Sequence, residues 1–328
     1  MGPMKHRACS ATKRLLLSGV LAGGILLTGC QSWQVNRLGD RILPSNQRDW
    51  SPDQQVLPHG QISGETITLH NIRRCDYLTA RDYVVTHYDQ TFPINSIETV
   101  DFIVTSPDAT PTVAHTILSF GRRDGSYLSV SIEGRTEKNE PYIPMLSISR
   151  KYEIIYVIAD EADLVGAKSM QPDWSIRIYP STATPEQSQA LFLDIVRRAN
   201  ALQGEPEFYD PLLNSNKSNL AKHFNTVQPD TIPIRWDNLL PGFSAKRAFE
   251  LGLIDQRISF ESLDSLADIT QLAKKFRSRP EFSDKIRSQW NDIDRLAAAS
   301  ERRAERINRR GAQPLSQPVD SPWRKNWR

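Results

Sequence analysis

Side chains that could carry nucleophilic chemistry occur in three stretches of the chain. His115 lies in TVAHTILSF, Glu133 lies in SYLSVSIEG, and Ser215 and Ser218 lie in the polar run NSNKSN. A neutral imidazole can take a proton from a nucleophile, and a carboxylate can orient that imidazole by accepting its other N–H. Each stretch also has a plainer explanation: a strand histidine satisfied by its neighbours, a surface ion pair, or short polar side chains that cap a helix.

The strands that would hold the first two residues are predicted from the region between about residues 65 and 180. Six runs there are rich in β-branched and aromatic residues and are separated by turns: ETITLHNI, SIETVDFIVT, TVAHTILSF, SYLSVSIEG, YEIIYVIA and WSIRIYP. Alternation along a strand places His115 on one face with Ile117 and Ser119. In the following run Glu133 shares its face with Ser129 and Ser131.

After residue 180 the pattern becomes helical. Thr184 followed by Pro185 predicts an N-cap and the first helical position, and another helix start is expected near Asn216. Further helices are expected at about 244–252, 260–268 and 269–278. The last helix begins near Pro280 and carries apolar residues at steps near 3.5 residues as far as Ile307. The order of elements predicts an α+β fold, an antiparallel sheet with helices appended after it.

Composition indicates an ordinary globular protein. The chain has 328 residues, of which 24% are charged and 39% are hydrophobic, enough for one large or two ordinary domains. The net charge of +3 is too small to indicate a nucleic-acid partner.

The N-terminus predicts export. Four basic residues precede the apolar run LLLSGVLAGGILLTGC: Lys5, Arg7, Lys13 and Arg14. An apolar run of about 15 residues is short for a membrane-spanning helix and typical of a secretory signal peptide. The run ends on LTGC, which resembles the bacterial lipobox and so implies a diacylglycerol on Cys30 and cleavage just before it. An uncleaved anchor helix with an incidental cysteine is the alternative.

The predicted organisation follows from that reading. Residues 1–29 form the signal peptide, 30–60 a lipidated tether, 61–310 the periplasmic domain with its C-terminal helices, and 311–328 a disordered tail that can touch anionic lipid. Gln31 after the cysteine resembles the sorting signal of Gram-negative lipoproteins, which implies a lipid anchor at the periplasmic face of the outer membrane. Cys75 is then the only free cysteine, so no intramolecular disulfide is expected.

Five runs, in order, resemble the Lnb N-terminal periplasmic domain family over about residues 50 to 290. They are ITLHNIRRCDYLTARDY, VDFIVTSPDATPTVAHTILSFGRRDGSYLSVSIEGR, YEIIYVIADEADLV, FYDPLLNSNKSN and LPGFSAKRAFELGLID. The family includes bacterial lipoprotein N-acyltransferases. The resemblance implies a papain-like, circularly permuted cysteine-hydrolase arrangement, in which a strand histidine precedes a cysteine at a helix N-terminus.

The family motifs give three positions in this chain. The histidine falls on His115, within Ala114-His115-Thr116, and the pattern S-V-E-x-R places Glu133 as the residue that orients it. The cysteine falls on Asn216. A carboxamide forms no anion near neutral pH, so Asn216 cannot carry out thiolate chemistry.

Three replacements for the missing thiol stay open. Ser215 or Ser218 would act as a serine nucleophile with His115, although each lies one or two residues from the required position on the helix. Cys75 would supply a thiol from an early strand, where a packed and inert side chain is the alternative. Asn216 would donate a hydrogen bond to an oxyanion in a non-covalent site.

The sequence therefore predicts a lipid-anchored periplasmic domain that is catalytically degenerate and binds lipoproteins or phospholipid acyl chains. The alternatives are an active acyltransferase or hydrolase and an envelope structural element without acyl chemistry. The acidic cluster Asp160, Glu161 and Asp163 is expected to be a solvated turn, with a divalent-cation site as the alternative. No cofactor or metal site is predicted.

Overall fold

The computed structural model describes residues 43–79, 82–108, 114–228, 232 and 245–311. The predicted signal peptide, Cys30 with the first part of the tether, and residues 312–328 of the predicted tail lie outside the described residues.

Eight strands form one sheet within these ranges. In chain order they are β1 His59–Ser63, β2 Thr66–Thr79, β3 Asp82–Pro93, β4 Ile97–Pro107, β5 His115–Arg122, β6 Tyr127–Arg135, β7 Glu153–Asp160 and β8 Trp174–Pro180. All six predicted runs are strands. The sequence did not predict β1, which is short, or β3, whose side chains are mostly polar and, apart from Phe92, are not buried.

The strand order is β1-β2-β7-β6-β5-β4-β8, and β3 also pairs with β2. Neighbouring strands are antiparallel except β2 and β7, which are parallel and meet at Arg73 and Ala159. The prediction of an α+β fold with a mostly antiparallel sheet is confirmed, and this one pair is the exception. A parallel pair needs a long connection, and here four other strands intervene.

Two ends of the sheet are used below. β5 begins, β6 ends and β7 begins at one end, which we call the His115 end. Because β2 runs parallel to β7, the last residues of β2 lie at the opposite end.

Helices cover both faces of the sheet. They are α1 Glu161–Ser169, α2 Pro185–Gly204, α3 Asn216–Val227, α4 Ala245–Glu250, α5 Phe260–Ala267, α6 Thr270–Phe276, α7 Phe282–Ile286 and α8 Trp290–Gly311. On one face α2, α3, α4, α5 and α8 pack against strand residues such as Phe102 and Leu118. On the other face α1, α6 and α7 pack against alternate residues such as Ile103 and Ile117. The sheet is therefore buried on both sides.

The last predicted helix is divided in two. α7 ends at Ile286 and α8 begins at Trp290. Between them Arg287 turns inward and donates hydrogen bonds to Asp101 at 2.9 Å and to Glu161 at 2.6 Å. Its guanidinium also stacks on the Tyr127 ring, 3.5 Å from the ring centroid. These contacts hold the chain in the bend that the apolar periodicity does not show.

The acidic cluster is buried rather than solvated. Glu161 pairs with Arg287, and Asp163 accepts hydrogen bonds from Arg73 at 2.8 and 3.0 Å. Both carboxylates are almost fully buried. The expectation of a solvated turn was therefore wrong at these two residues, because each has an arginine that comes from a distant part of the chain.

The second half of the predicted tether contacts the domain. Trp50 is buried, with the Arg135 guanidinium 4.2 Å from its ring centroid. Ser45 N–H donates to Glu153 Oε1 at 3.1 Å, and Arg48 binds the same oxygen at 2.8 Å. The described chain therefore begins against the His115 end of the sheet.

Candidate functional site

The predicted site residues come together at the His115 end. His115 is the first residue of β5, Glu133 is near the end of β6, and Asn216 is the first residue of α3. β5 and β6 are neighbours, with Ile117 opposite Ser131. Asn216 touches both strands through its side chain, so the start of the helix lies next to His115 in space although about 100 residues separate them.

A serine connects the histidine to the glutamate. His115 Nε2 lies 2.7 Å from Ser131 Oγ, and Ser131 Oγ donates to Glu133 Oε1 at 2.8 Å. The direct distance from His115 Nε2 to Glu133 Oε1 is 3.8 Å, which is too long for a hydrogen bond. The sequence placed Ser131 and Glu133 on one face, but it did not indicate that the serine hydroxyl intervenes.

This chain of bonds assigns the imidazole tautomer. Ser131 has a single hydroxyl hydrogen, and Glu133 accepts it. Ser131 Oγ must therefore accept from His115, so the hydrogen of the neutral ring is on Nε2. The Nδ1 lone pair is then free to act as a base, and no described residue hydrogen-bonds to it.

Charge in the site is set by burial and by Lys168 at the end of α1. Burial lowers the pKa of His115 to about 4, and the positive charge of Lys168 acts in the same direction. Burial would raise the pKa of Glu133, but Lys168, His115 and Arg73 outweigh it and lower this pKa to about 2. Lys168 Nζ lies 3.7 Å from Glu133 Oε1. At neutral pH the site holds a neutral imidazole beside an ionised carboxylate.

Asn216, the residue predicted to stand where relatives carry a cysteine, makes all its side-chain hydrogen bonds to backbone groups. Its Oδ1 accepts from Thr116 N–H at 3.3 Å, and its Nδ2 donates to Thr116 O at 2.9 Å and to Ile132 O at 3.3 Å. At this end the last regular pair between β5 and β6 is Ile117 with Ser131, next to Thr116 and Ile132. The carboxamide therefore bridges the two strands where they separate.

The two candidate serines form the cap of α3. Ser215 Oγ accepts from Ser218 N–H at 3.3 Å, and Ser218 Oγ accepts from Ser215 N–H at 2.8 Å. This reciprocal arrangement is a capping box, which satisfies backbone N–H groups at a helix start. Both serines are buried, and neither has a hydrogen bond to His115 among the described contacts.

Cys75 lies elsewhere. It is buried on β2, where its backbone N–H donates to Asp163. Burial and the nearby Asp163 raise the pKa of its thiol to about 12. A protonated, enclosed thiol is a poor nucleophile.

Two tyrosines border the site. The Asn216 N–H donates to Tyr209 OH at 3.5 Å, and Tyr142 lies close to Tyr209. The Tyr142 ring lies over Gly134, so close that a Cβ added there would be 2.8 Å from a ring carbon. Glycine next to Glu133 is therefore required for the tyrosine to approach. Tyr142 and Lys168 were not predicted as site residues, because only the fold brings them to Glu133.

Two general findings complete the description. Within the described residues no group of three or more His, Cys, Asp or Glu side chains is arranged to hold a metal ion. In the same part of the chain, no helix combines the length and the apolar composition needed to cross a bilayer.

One known family model matches the part of the sequence that contains the site. The model of the Lnb N-terminal periplasmic domain matches residues 84–242, just under half of the chain, and this span contains His115, Glu133 and Asn216. Residues 84–242 are therefore similar to the Lnb N-terminal periplasmic domain. Searches of curated proteins and of solved structures found no match.

Proposed function

We propose that this protein is a periplasmic envelope receptor that binds lipoproteins or phospholipid acyl chains without forming a covalent adduct. The observation that carries the proposal is the side chain of Asn216, whose three hydrogen bonds to Thr116 and Ile132 leave no reactive group at the family's nucleophile position. The neighbouring serines support it, because both hydroxyls are committed to the helix cap.

The finer fold assignment is part of this proposal. We infer a papain-like, circularly permuted arrangement from two features. His115, on strand β5, precedes α3 in the sequence, and the first residue of α3 takes the nucleophile position. The start of α3 contacts both β5 and β6. Thiol hydrolases of that type use a helix N-terminus to stabilise the thiolate.

The receptor proposal is tested with a synthetic diacylated cysteine peptide that carries a photoactivatable group in one acyl chain. We expect crosslinks to peptides that contain Tyr142 or Tyr209, and an intact-mass spectrum of the unirradiated mixture without an acyl adduct. Leu78→Ser, an exposed change at the opposite end of the sheet, is the matched control and should crosslink equally well. Crosslinks scattered over the domain, or none, would contradict the proposal.

A second candidate function has one observation in its favour. The free Nδ1 of His115 and the ionised Glu133 beyond Ser131 retain the base and its orienting carboxylate. An active acyltransferase or hydrolase would then use Ser215 or Ser218, released from the cap. Its signature is labelling by a fluorophosphonate probe that is lost in Ser215→Ala or Ser218→Ala. Labelling that survives both changes, or no labelling at all, rejects it.

The anchor is proposed from the lipobox resemblance. Diacylglycerol on Cys30 would hold the domain at the periplasmic face of the outer membrane. Cells grown with radiolabelled palmitate should label the protein, and Cys30→Ala should abolish both the label and membrane association. Cys75→Ala is the control and should change neither. Membrane association that persists in Cys30→Ala without label would reject the lipid anchor.

A further inference from the structure

We propose that an apolar surface beside the candidate site docks on the lipid bilayer, so that the site opens at the membrane–water interface. The surface consists of Tyr142, Ile143, Leu146, Ile148, Leu212 and Leu213, all of which are exposed, and is called the apolar rim below. This goes beyond the proposed function, since a receptor for acylated ligands could also work away from the membrane surface.

The rim is formed by two segments of the chain whose neighbouring residues are hydrogen-bonded to each other through the backbone. One segment precedes β7, and the other is the tight turn before α3, in which Asp210 Oδ1 accepts from the N–H groups of Leu212 and Leu213 at 2.8 and 2.9 Å. Tyr209 N–H donates to Tyr152 O at 2.8 Å, and Ile154 N–H donates to Glu207 O at 2.9 Å. The two segments that carry the apolar side chains therefore leave the same end of the sheet, beside the start of β7.

The rim lies beside the site. Tyr142 belongs to the rim and also covers the backbone of Gly134, which follows Glu133. Tyr209, which lies close to Tyr142, accepts from the first N–H of α3 at Asn216. A ligand that enters from a surface in contact with the rim would meet His115 and Glu133 without crossing the rest of the domain.

The start of the described chain argues for a bilayer as the occupant. Ser45 and Arg48 bind Glu153, so the chain leaves the domain at the His115 end. Twelve residues lie between Cys30 and Leu43, the first described residue, and the 13 Cα–Cα steps that connect these two span at most about 45 Å. A lipid on Cys30 would therefore keep this end of the sheet, and the rim with it, near the membrane.

The charges around the rim suit a phospholipid surface. Arg150 is exposed close after the first rim segment, and Lys222, exposed within α3, donates through Nζ to Leu213 O at 3.2 Å. Basic side chains near a membrane surface interact with anionic headgroups, and tyrosine favours the interfacial layer. Single exposed apolar residues need no partner, whereas a cluster of six beside a site indicates an interaction surface.

The test places an environment-sensitive fluorophore at single positions of the full-length protein, reconstituted into phosphatidylethanolamine and phosphatidylglycerol vesicles. The labelled variants are Ile148→Cys and Leu213→Cys, with exposed fractions of 65% and 56% in the parent residues. The matched control is Leu78→Cys, which replaces a 72% exposed leucine near the end of β2, at the opposite end of the sheet. Unsubstituted protein measures background, and Cys75 is buried.

Docking predicts a blue shift of the emission at 148 and 213 on vesicles, and quenching by lipids brominated in their acyl chains. The label at 78 should show neither change. Unshifted emission at 148 and 213, or an equal shift at 78, would overturn the proposal. Unshifted emission at 148 and 213 is the result expected if a protein partner, and not the bilayer, covers the rim. Because the vesicles contain no acylated peptide, the result does not depend on the proposed receptor function, although it rests on the lipid anchor proposed above.

Discussion

Asn216→Ala tests whether the carboxamide is a structural bridge between β5 and β6. The change leaves Thr116 N–H, Thr116 O and Ile132 O without their side-chain partner in a position where the parent residue is only 4% exposed. At about 1 kcal/mol for each net hydrogen bond the loss is about 3 kcal/mol, and the better helix propensity of alanine returns about 0.5 kcal/mol. We therefore expect the free energy of unfolding to fall by about 2–3 kcal/mol.

Urea unfolding followed by tryptophan fluorescence measures this loss, and the midpoint of thermal unfolding should fall by about 4–12 °C. Asn216→Asp provides a sharper comparison. It keeps the acceptor for Thr116 N–H but turns a carboxylate oxygen toward two carbonyls, so it should destabilise more than alanine. Asn95→Ala, at an exposed residue, is the control and should change stability by less than about 0.5 kcal/mol. If Asn216→Ala behaves like this control, the bridge has no energetic role.

Two further predictions concern buried charge. Arg287→Met leaves Asp101 and Glu161 buried without their cation and should lower the free energy of unfolding by about 3–5 kcal/mol in urea titrations. The control, Arg295→Met, breaks only an exposed ion pair and should lower it by less than about 1 kcal/mol. Equal losses would contradict the role of Arg287. His115 has a folded pKa of about 4 and an unfolded pKa near 6.5, so the unfolded chain binds more protons between these values and stability falls as the pH drops from about 6.5 to 4. His115→Gln should lose less stability than the parent over this interval, by roughly 1–3 kcal/mol in urea unfolding, and an identical loss would refute a buried neutral imidazole.

Local sequence signals predicted most of the fold because its main elements are locally encoded. YEIIYVIA becomes the buried strand β7, and Thr184 with Pro185 begins α2 through a capping box. β3 escaped prediction because its polar side chains on an outer strand give no hydrophobic alternation. The bend at Arg287 was also not predicted, because its partner Asp101 lies 186 residues earlier and no local pattern near either residue indicates the ion pair.

The sequence predicted candidate positions for a site but not the contacts between them. The family resemblance located His115, Glu133 and Asn216, and the structure brings the first two within 3.8 Å of each other. The connecting hydroxyl of Ser131 and the charge of Lys168 depend on the register of β5 with β6 and on the packing of α1. Such distances are properties of the folded chain, so spacing in the sequence could not supply them.

The role of Asn216 bears on whether a thiol alone could restore covalent chemistry. A thiol is a weak donor and a weak acceptor, so cysteine at this position could not satisfy Thr116 N–H, Thr116 O and Ile132 O together. Unless β5 and β6 moved closer and paired through these groups, the backbone beside His115 would be left unsatisfied and would loosen. The neutral base and the ionised Glu133 would then be present without the fixed geometry that attack on an acyl carbon requires. In this chain the amide at position 216 is therefore coupled to the way the two strands are held apart, and a functional thiol there would need changes in the strands as well as at position 216.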